Sequence, residues 1–298
     1  MIIKKKVPIS YIFNELKTPL VFVSLIAIVT GILPIYFSTF LSEIPISIAT
    51  TLGVAISILL SYMINQSYER WWEARKIWGS IVNDSRTFTL QLQMYLDKDD
   101  RHIKELSYTQ IAWNYALGHS LRKIKATDEL EKWLTPDEYA LLQKSENIPY
   151  QLLSIQSLKL RQLFLDDKLD KFSQIQLENT LARLTISMGK CERIKHTTFP
   201  PIYRLGLHVT IYMFVIFLSL SVAFSLQHFI LQFFILMIVS SVFFFLEKAA
   251  FRLQDPFENK PSDTPMTSIA ENIEHNVMEI LGEDRSPSIP QESSFFIL

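Results

Sequence analysis

Three residues late in the middle of the chain have types and spacing that could bind a metal ion. Cys191, Glu192 and His196 share one region. Glu192 and His196 are four positions apart, so their side chains can meet on one face of a helix. The other interpretation is a surface pair beside a packed cysteine, and the sequence favours it. We therefore predict no bound metal and no cofactor.

Motifs typical of enzymes are missing from the sequence. It contains no Gly-rich phosphate loop, no His-Glu-x-x-His and no Gly-x-Ser-x-Gly. His208 lies near the start of an apolar run, where a proton or ligand site is one interpretation and anchoring at the membrane interface is the better one. We predict that the protein is not an enzyme.

A polar stripe runs along residues 47–65, which are otherwise apolar enough to enter a membrane. At about 100° per residue one helical face carries large apolar side chains, namely Leu52, Ile56, Leu59, Leu60 and Met63. The opposite face carries Ser47, Thr50, Thr51, Val54, Ile58, Ser61, Tyr62 and Asn65. Hydroxyls gain nothing from facing lipid, so this stripe indicates a water path with a dry constriction near Val54, Ile58 and Tyr62. Helix packing through the small residues Gly53, Ala55 and Ser57 is the alternative.

The composition of the chain indicates the kinds of domain to which this stripe belongs. The chain is 49% hydrophobic yet 20% charged, which fits a membrane domain joined to a sizeable aqueous domain. Its net charge of −1 gives no reason to expect a nucleic-acid partner, and its single cysteine excludes an internal disulfide. Only seven glycines occur, without the alternation and turn pairs of hairpins, so the predicted class is all-α.

Four apolar stretches are long enough to cross a bilayer, and they begin near residues 19, 46, 204 and 229. The predicted organisation is an N-terminal segment with two transmembrane helices (1–65), a cytosolic helical domain (66–200), two further transmembrane helices (201–250), a cytosolic C-terminal segment (251–281) and a disordered tail (282–298). Residues 1–18 are compatible with a short surface helix. The second span continues into a charged, Trp-rich segment as one helix to about residue 79.

The aqueous block should contain helices near 80–96, 104–124, 150–165 and 170–196. Near 127–145, Thr135 followed by Pro136 marks the start of a further helix, with Thr as cap and Pro at the first position. Lys and Arg lie at the N-terminus, throughout 70–204 and after Lys248, but not in the loops near 42 and 227. By the positive-inside rule both termini are cytosolic, in the inner (plasma) membrane.

Several segments resemble the bestrophin family, and closely its bacterial branch. They are Ser67-Tyr68-Glu69-Arg70-Trp71-Trp72-Glu73-Ala74-Arg75-Lys76-Ile77-Trp78-Gly79, then Cys191-Glu192-Arg193-Ile194-Lys195-His196-Thr197 with Pro200 and Tyr203, and Asp255-Pro256-Phe257. The resemblance covers roughly residues 5–280. It implies a homopentamer of four-span subunits around a central pore with a helical cytosolic vestibule, working as a passive ion channel. Animal members conduct anions and are opened by calcium, whereas bacterial members conduct monovalent ions and some prefer cations.

The resemblance also implies site residues. Three apolar residues spaced four apart form the pore neck in the family, and counting back from Arg70 places them at Val54, Ile58 and Tyr62. A cytosolic aperture falls at Phe172, with Ile175 as the fallback, although Phe172 could also be a core residue. The acidic run of calcium-binding members corresponds here to the weak set Asp255, Glu258 and Asp263, interrupted by Lys260 and Pro261, so calcium activation is not expected.

The predicted function is therefore a bestrophin-like channel for small monovalent ions, with chloride or another anion expected from the family and cations open for the bacterial branch. A membrane-anchored sensor or scaffold without conduction is the alternative. The expected partners are membrane lipid, monovalent ions and four further copies of the chain, with no nucleic acid.

Overall fold

The computed structural model describes residues 8–37, 44–125, 127–197, 199–226 and 228–283. Within these ranges the chain is helical and contains no strand. The helices, in chain order, are α1 (Ile9–Phe37), α2 (Ile46–Tyr95), α3 (Arg101–Leu121), a 3₁₀ helix (Asp128–Trp133), α4 (Pro136–Gln143), α5 (Ile148–Leu165), α6 (Lys171–His196), α7 (Pro201–Ser225), α8 (Phe229–Gln254) and α9 (Met266–Leu281). The all-α prediction is confirmed.

Four of these helices, α1, α2, α7 and α8, are long and apolar enough to cross a membrane. This confirms the four predicted spans. At about 1.5 Å per residue the 50 residues of α2 extend about 75 Å, more than twice the hydrocarbon core of a bilayer. A large part of α2 therefore lies outside any membrane that its apolar first half crosses.

Two helices extend past the boundaries that were predicted for them. The second helix was predicted to stop near residue 79 and a new one to begin near 80, but α2 continues to Tyr95. Gly79 lies inside α2, since an isolated glycine lowers helix stability without ending the helix. Helix α1 begins at Ile9 and so includes residues 9–18 of the predicted surface segment, and Pro19 and Pro34 lie inside it.

The chain divides into two compact units. The membrane unit comprises the described residues of Lys4–Arg70 and Thr198–Gln254. Its core joins large apolar side chains of the four spans, for example Val23, Ile56, Ile211 and Phe244. Burial of these side chains against one another fixes which face of each span points outward.

The aqueous unit comprises Trp71–Thr197 together with the described residues from Asp255 on. Its core gathers Trp78, Phe88, Trp113 and Leu184 from three helices, all fully buried. Gln110 lies inside this core and is hydrogen-bonded on both sides, because its Nε2 donates to Ser85 Oγ at 2.9 Å and its Oε1 accepts from Gln156 Nε2 at 2.9 Å. Such pairing removes the cost of burying an amide.

The predicted helices of the aqueous block are largely present. Thr135 caps α4 as expected, in a reciprocal capping box with Glu138, and Pro136 occupies the first turn. A 3₁₀ helix that was not predicted, Asp128–Trp133, precedes α4, and the extended backbone of Thr135 (ψ 156°) separates the two. Helix α9 was not predicted.

Some predictions concern residues outside the described ranges. These are Lys4, Lys5 and Lys6, the loop around Ser42, Gln227, and residues 284–298 of the predicted disordered tail. Of that tail only Gly282 and Glu283 are described, and Gly282 ends α9 in the left-handed conformation (φ 70°).

Candidate functional site

The first half of α2 exposes the face that the sequence pattern selected. Val54, Ile58 and Tyr62 are 57%, 66% and 55% exposed in the single chain. The hydroxyl and amide residues of the same face are exposed too, namely Ser47, Thr50, Thr51, Ser61 and Asn65. Three large apolar side chains and their polar neighbours therefore form one continuous surface.

The opposite face of this half of α2 is packed. Ile56, Leu60 and Met63 are fully or almost fully buried in the membrane unit. On the flank, a Cβ at Gly53 would lie 3.2 Å from the Phe214 ring, so glycine permits close approach of α7. These contacts orient α2 and leave the polar stripe exposed, with the Tyr62 ring 6.3 Å from the Tyr203 ring at its edge.

The stripe also differs from the exposed faces of the neighbouring spans. Every exposed side chain of α8 between Phe229 and Phe245 is apolar, as lipid contact requires. On α2, by contrast, hydroxyls are exposed, although Thr50 and Thr51 each donate to the carbonyl four residues earlier. An exposed stripe with this mixture suits contact with water better than contact with lipid.

Phe172 lies in the first turn of α6 and is 81% exposed. The interpretation of Phe172 as a core residue of its own chain is therefore wrong. Asp170 caps α6 by accepting from the Phe172 and Ser173 amides at 2.8 and 3.1 Å, which fixes the backbone that presents the ring. Ile175, the fallback position, is also exposed, at 44%.

The loop before α6 is tied to the start of α3. Lys168 donates to Asp100 Oδ2 at 2.7 Å, and Asp100 also accepts from the backbone amide of His102 at 2.9 Å. Burial raises the pKa of Asp100, but the hydrogen bonds from Lys168 and His102 outweigh it and lower the pKa to about 2. Asp100 therefore stays ionised at physiological pH and holds the loop.

The acidic set after α8 binds groups of its own chain. Asp255 Oδ2 lies 2.6 Å from Lys195 Nζ, and Glu258 pairs with Lys260. Asp263 is buried and its Oδ2 accepts from the Lys260 amide at 3.0 Å. Burial raises the pKa of Asp263 to about 6. In the described part of the chain, no group of three or more His, Cys, Asp or Glu side chains is placed to hold a metal ion.

The region of Cys191 is structural. The thiol is free and fully buried in the aqueous core, and burial raises its pKa far above the ordinary value. Among the described residues Glu192 and His196 form no ion pair closer than 4 Å, so the predicted surface pair is wrong while the packed cysteine is confirmed.

Trp71, Trp72 and Trp78 follow the apolar half of α2. Such residues either form a belt at the membrane interface or pack inside the protein. Trp78 is fully buried, and Trp71 Nε1 donates to the Ser262 carbonyl at 2.8 Å. Trp72 is the exception, with 47% of its surface exposed. Contacts inside the protein therefore explain Trp71 and Trp78, but not Trp72.

Two polar contacts in the membrane unit were not found from the sequence. His208 Nδ1 lies 2.8 Å from Glu247 Oε1, joining α7 to α8. Thr30 and Ser219 lie 2.5 Å apart through their hydroxyl oxygens, and Gln232 donates to both at 3.3 to 3.4 Å. The only signal for the first pair is that Glu247 interrupts a run without other carboxylates, and this does not name its partner.

Comparisons with known proteins give consistent matches. A family model described as "Bacterial/Fungal Bestrophin protein" matches residues 6–279. Voltage-dependent anion channel-forming protein RSc3414 of Ralstonia nicotianae is 28% identical over 275 residues, covering 91% of this chain and 87% of that protein. Voltage-dependent anion channel-forming protein YneE of Escherichia coli K12 is 30% identical over 237 residues, covering 80% and 77%. A crystal structure of a bacterial bestrophin homolog from Klebsiella pneumoniae has a TM-score of 0.81 at 26% identity and covers 89% of this chain and 98% of that one.

Proposed function

Since the chain belongs to the bacterial/fungal bestrophin family, we propose that it forms a passive channel for small monovalent anions, chloride foremost, across a central pore lined by α2. The names of the relatives from Ralstonia and Escherichia support anions over cations as the conducted species. The observation that carries the proposal is the exposed stripe of α2, in which hydroxyl and amide residues flank Val54, Ile58 and Tyr62.

Assembly turns this stripe into a pore. Most oligomers have closed rotational symmetry, and five copies around one axis bring five such stripes together. Val54, Ile58 and Tyr62 then form three apolar rings, one helical turn apart. Apolar rings offer an ion no replacement for its hydration shell, so the neck gates by width and dewetting rather than by fixed charge.

The aperture and the topology complete the proposal. Phe172 contributes a second, cytosolic ring, for which its 81% exposure and the cap from Asp170 give support. Both termini and residues 66–200 and 251–281 lie in the cytosol, and the membrane is the inner (plasma) membrane, in accord with the distribution of Lys and Arg. The domain boundaries at residues 65, 200 and 250, which separate the membrane segments from the cytosolic ones, are also part of this proposal.

Control by calcium is weak or absent in this proposal. Asp255 and Glu258 are each paired with a lysine, and Asp263 is buried against the Lys260 amide, so these carboxylates offer an ion few free oxygens. A strong calcium site takes six to eight oxygen ligands. Asp255, Glu258 and Asp263 are therefore at most a weak cation-binding set.

Flux through the purified protein in liposomes tests the function. Vesicles loaded with potassium chloride should lose chloride when the protein is present, and the reversal potential under a salt gradient should follow chloride rather than potassium. Mass measurement in mild detergent should give five chains. A scaffold or sensor would give no flux above that of empty vesicles, and a monomer or dimer would contradict the pore.

A further inference from the structure

A cavity of about 250 Å³ opens on the membrane unit between the start of α7 and the end of α8. Its lining comprises Pro201, Arg204, Leu205, His208, Glu247, Lys248 and Phe251. It lies far from the stripe of α2 in the sequence, and ion conduction as proposed above does not use it. Its volume is slightly below the usual range for whole small-molecule ligands, so it suits part of a larger ligand.

Two cations at this cavity have no carboxylate partner. Within the described ranges neither Arg204 nor Lys248 takes part in an ion pair. The Arg204 guanidinium lies over the Phe251 ring, 4.2 Å from its centroid, which holds the charge at the cavity. Arg252, near the end of α8, is by contrast paired with Glu15. Arg204 and Lys248 thus leave positive charge available to an anion.

Glu247 is the one acidic residue of the lining, and its carboxylate is buried inside the protein. Glu247 has a side chain only 2% exposed, and its Oε1 lies 2.8 Å from Nδ1 of His208. Its other carboxylate oxygen is buried without a hydrogen-bond partner among the described residues and is closed to a ligand in the cavity. The accessible charge of the cavity is therefore that of Arg204 and Lys248.

The surroundings place the cavity at the level of lipid headgroups. Residues 205–246, which link the two cations along the chain, contain no Asp, Glu, Lys or Arg. The two cations therefore mark the same boundary of a two-helix apolar hairpin. Below them the exposed face of α7 is apolar, with Leu205, Val209 and Met213 open to the surroundings. A ligand that meets both features has an anionic head and a hydrocarbon tail.

We propose that this cavity binds the phosphate of an anionic phospholipid, with Arg204 and Lys248 contacting the phosphate oxygens and the acyl chains lying along α7. Basic pockets between transmembrane helices recognise lipid headgroups in this manner. Arginine supplies paired N–H donors to a phosphate and lysine a compact charge. Free inorganic phosphate would share the headgroup contacts but would leave the apolar face unused.

Native mass spectrometry of the detergent-solubilised protein tests this site independently of ion flux. The lipid-binding result can therefore be interpreted even if the channel proposal fails. The probes are dioleoyl phosphatidylglycerol, dioleoyl phosphatidylcholine and glycerol phosphate. We expect phosphatidylglycerol to bind at least tenfold more tightly than phosphatidylcholine, at one lipid per chain, and glycerol phosphate not to bind at millimolar concentration. Equal affinity for both lipids, or equal binding of glycerol phosphate, would overturn the proposal.

Variants locate the site. Replacing both cations by alanine should lower phosphatidylglycerol affinity on the order of 30-fold, because each cation near a membrane surface contributes about a fivefold factor. If the double variant does not fold, Arg204→Gln and Lys248→Gln should each lose roughly fivefold. Lys17→Ala is the matched control: Lys17 is exposed near the start of α1 and does not line the cavity, so its loss should change affinity by less than twofold. Equal losses in the control and the cavity variants would mean non-specific attraction and refute the site.

Discussion

Replacing Ile58 by alanine is the most direct test of the pore neck. Ile58 is 66% exposed in the single chain and occupies the middle of the three proposed rings. The isoleucine side chain reaches two carbon–carbon bonds beyond Cβ, about 2.5 Å, so the substitution would widen a ring of facing copies by about 5 Å. That width is enough to admit water to a constriction that the isoleucines keep dry.

The expected result is a higher conductance with an unchanged fold. Each 1.4 kcal/mol removed from the barrier raises the rate of passage about tenfold, and we expect an increase between roughly threefold and tenfold for one apolar ring. Since Ile58 contacts little of its own chain, the free energy of unfolding should change by less than about 0.5 kcal/mol. Single-channel recording in planar bilayers measures the first quantity, and thermal unfolding in detergent the second.

Ile56→Ala is the matched control, because Ile56 lies on the opposite face of the same helix and is fully buried. It should cost about 2–5 kcal/mol of stability and leave the conductance of the folded fraction close to wild type. Ile58→Leu, which keeps the bulk, should conduct like wild type. Equal currents from wild type and Ile58→Ala would show that the constriction lies elsewhere and that the assignment of the α2 face to the pore is wrong.

Three further results are expected. Phe172→Ala should change the permeability ratio of large to small anions without lowering the melting temperature, since the ring is 81% exposed; loss of assembly would instead place it in a subunit contact. Calcium titrated into the liposome flux assay should have little effect, and a steep rise at micromolar calcium would contradict the pairing of Asp255 with Lys195. Asp263 has its pKa raised by burial from 3.8 to about 6, so the stability tied to its protonated form is complete below about pH 4 and is lost as pH rises through 6. Chemical unfolding should show this loss, on the order of 3 kcal/mol, in wild type and not in Asp263→Asn.

The outward face of α2 could be predicted from sequence because helical period and residue type act on the same positions. Buried Ile56, Leu60 and Met63 recur at spacings of three and four, which only one helical face can satisfy. The C-terminal end of α2, in contrast, could not be predicted from the sequence. Gly79 ends the charged, Trp-rich segment, and a glycine there looks like a helix end when the packing of Trp78 and Ile81 into the aqueous core is unknown.

Other features depend on contacts between distant parts of the chain. Helix α9 follows a proline-rich turn, and its buried face packs on α3, which lies about 150 residues earlier. His208 and Glu247 are 39 positions apart, and only the hairpin of α7 and α8 brings them together. A pattern within one segment carries no information about such a partner, so these residues looked like isolated polar positions.

If the proposed neck is correct, selectivity for anions must arise outside it, because apolar rings carry no fixed charge to distinguish ions by sign. The whole chain is nearly neutral, with 29 basic and 30 acidic side chains, so the charges nearest the ion path decide. At the proposed aperture Asp170 keeps its negative charge while its carboxylate caps α6, and Lys168 is paired with Asp100. Lys171, directly before Phe172, is exposed and forms no ion pair among the described residues, so five copies would place five positive charges around the exit.

Lys171→Glu should therefore lower the ratio of chloride to potassium permeability. The reversal potential of the reconstituted channel under a tenfold potassium chloride gradient measures this ratio. Ile58→Ala should leave the reversal potential unchanged while raising the current, since it alters width and not charge. If Lys171→Glu leaves the reversal potential at the wild-type value, the side chain does not face the ion path, and the placement of the start of α6 at the exit of the pore fails with it.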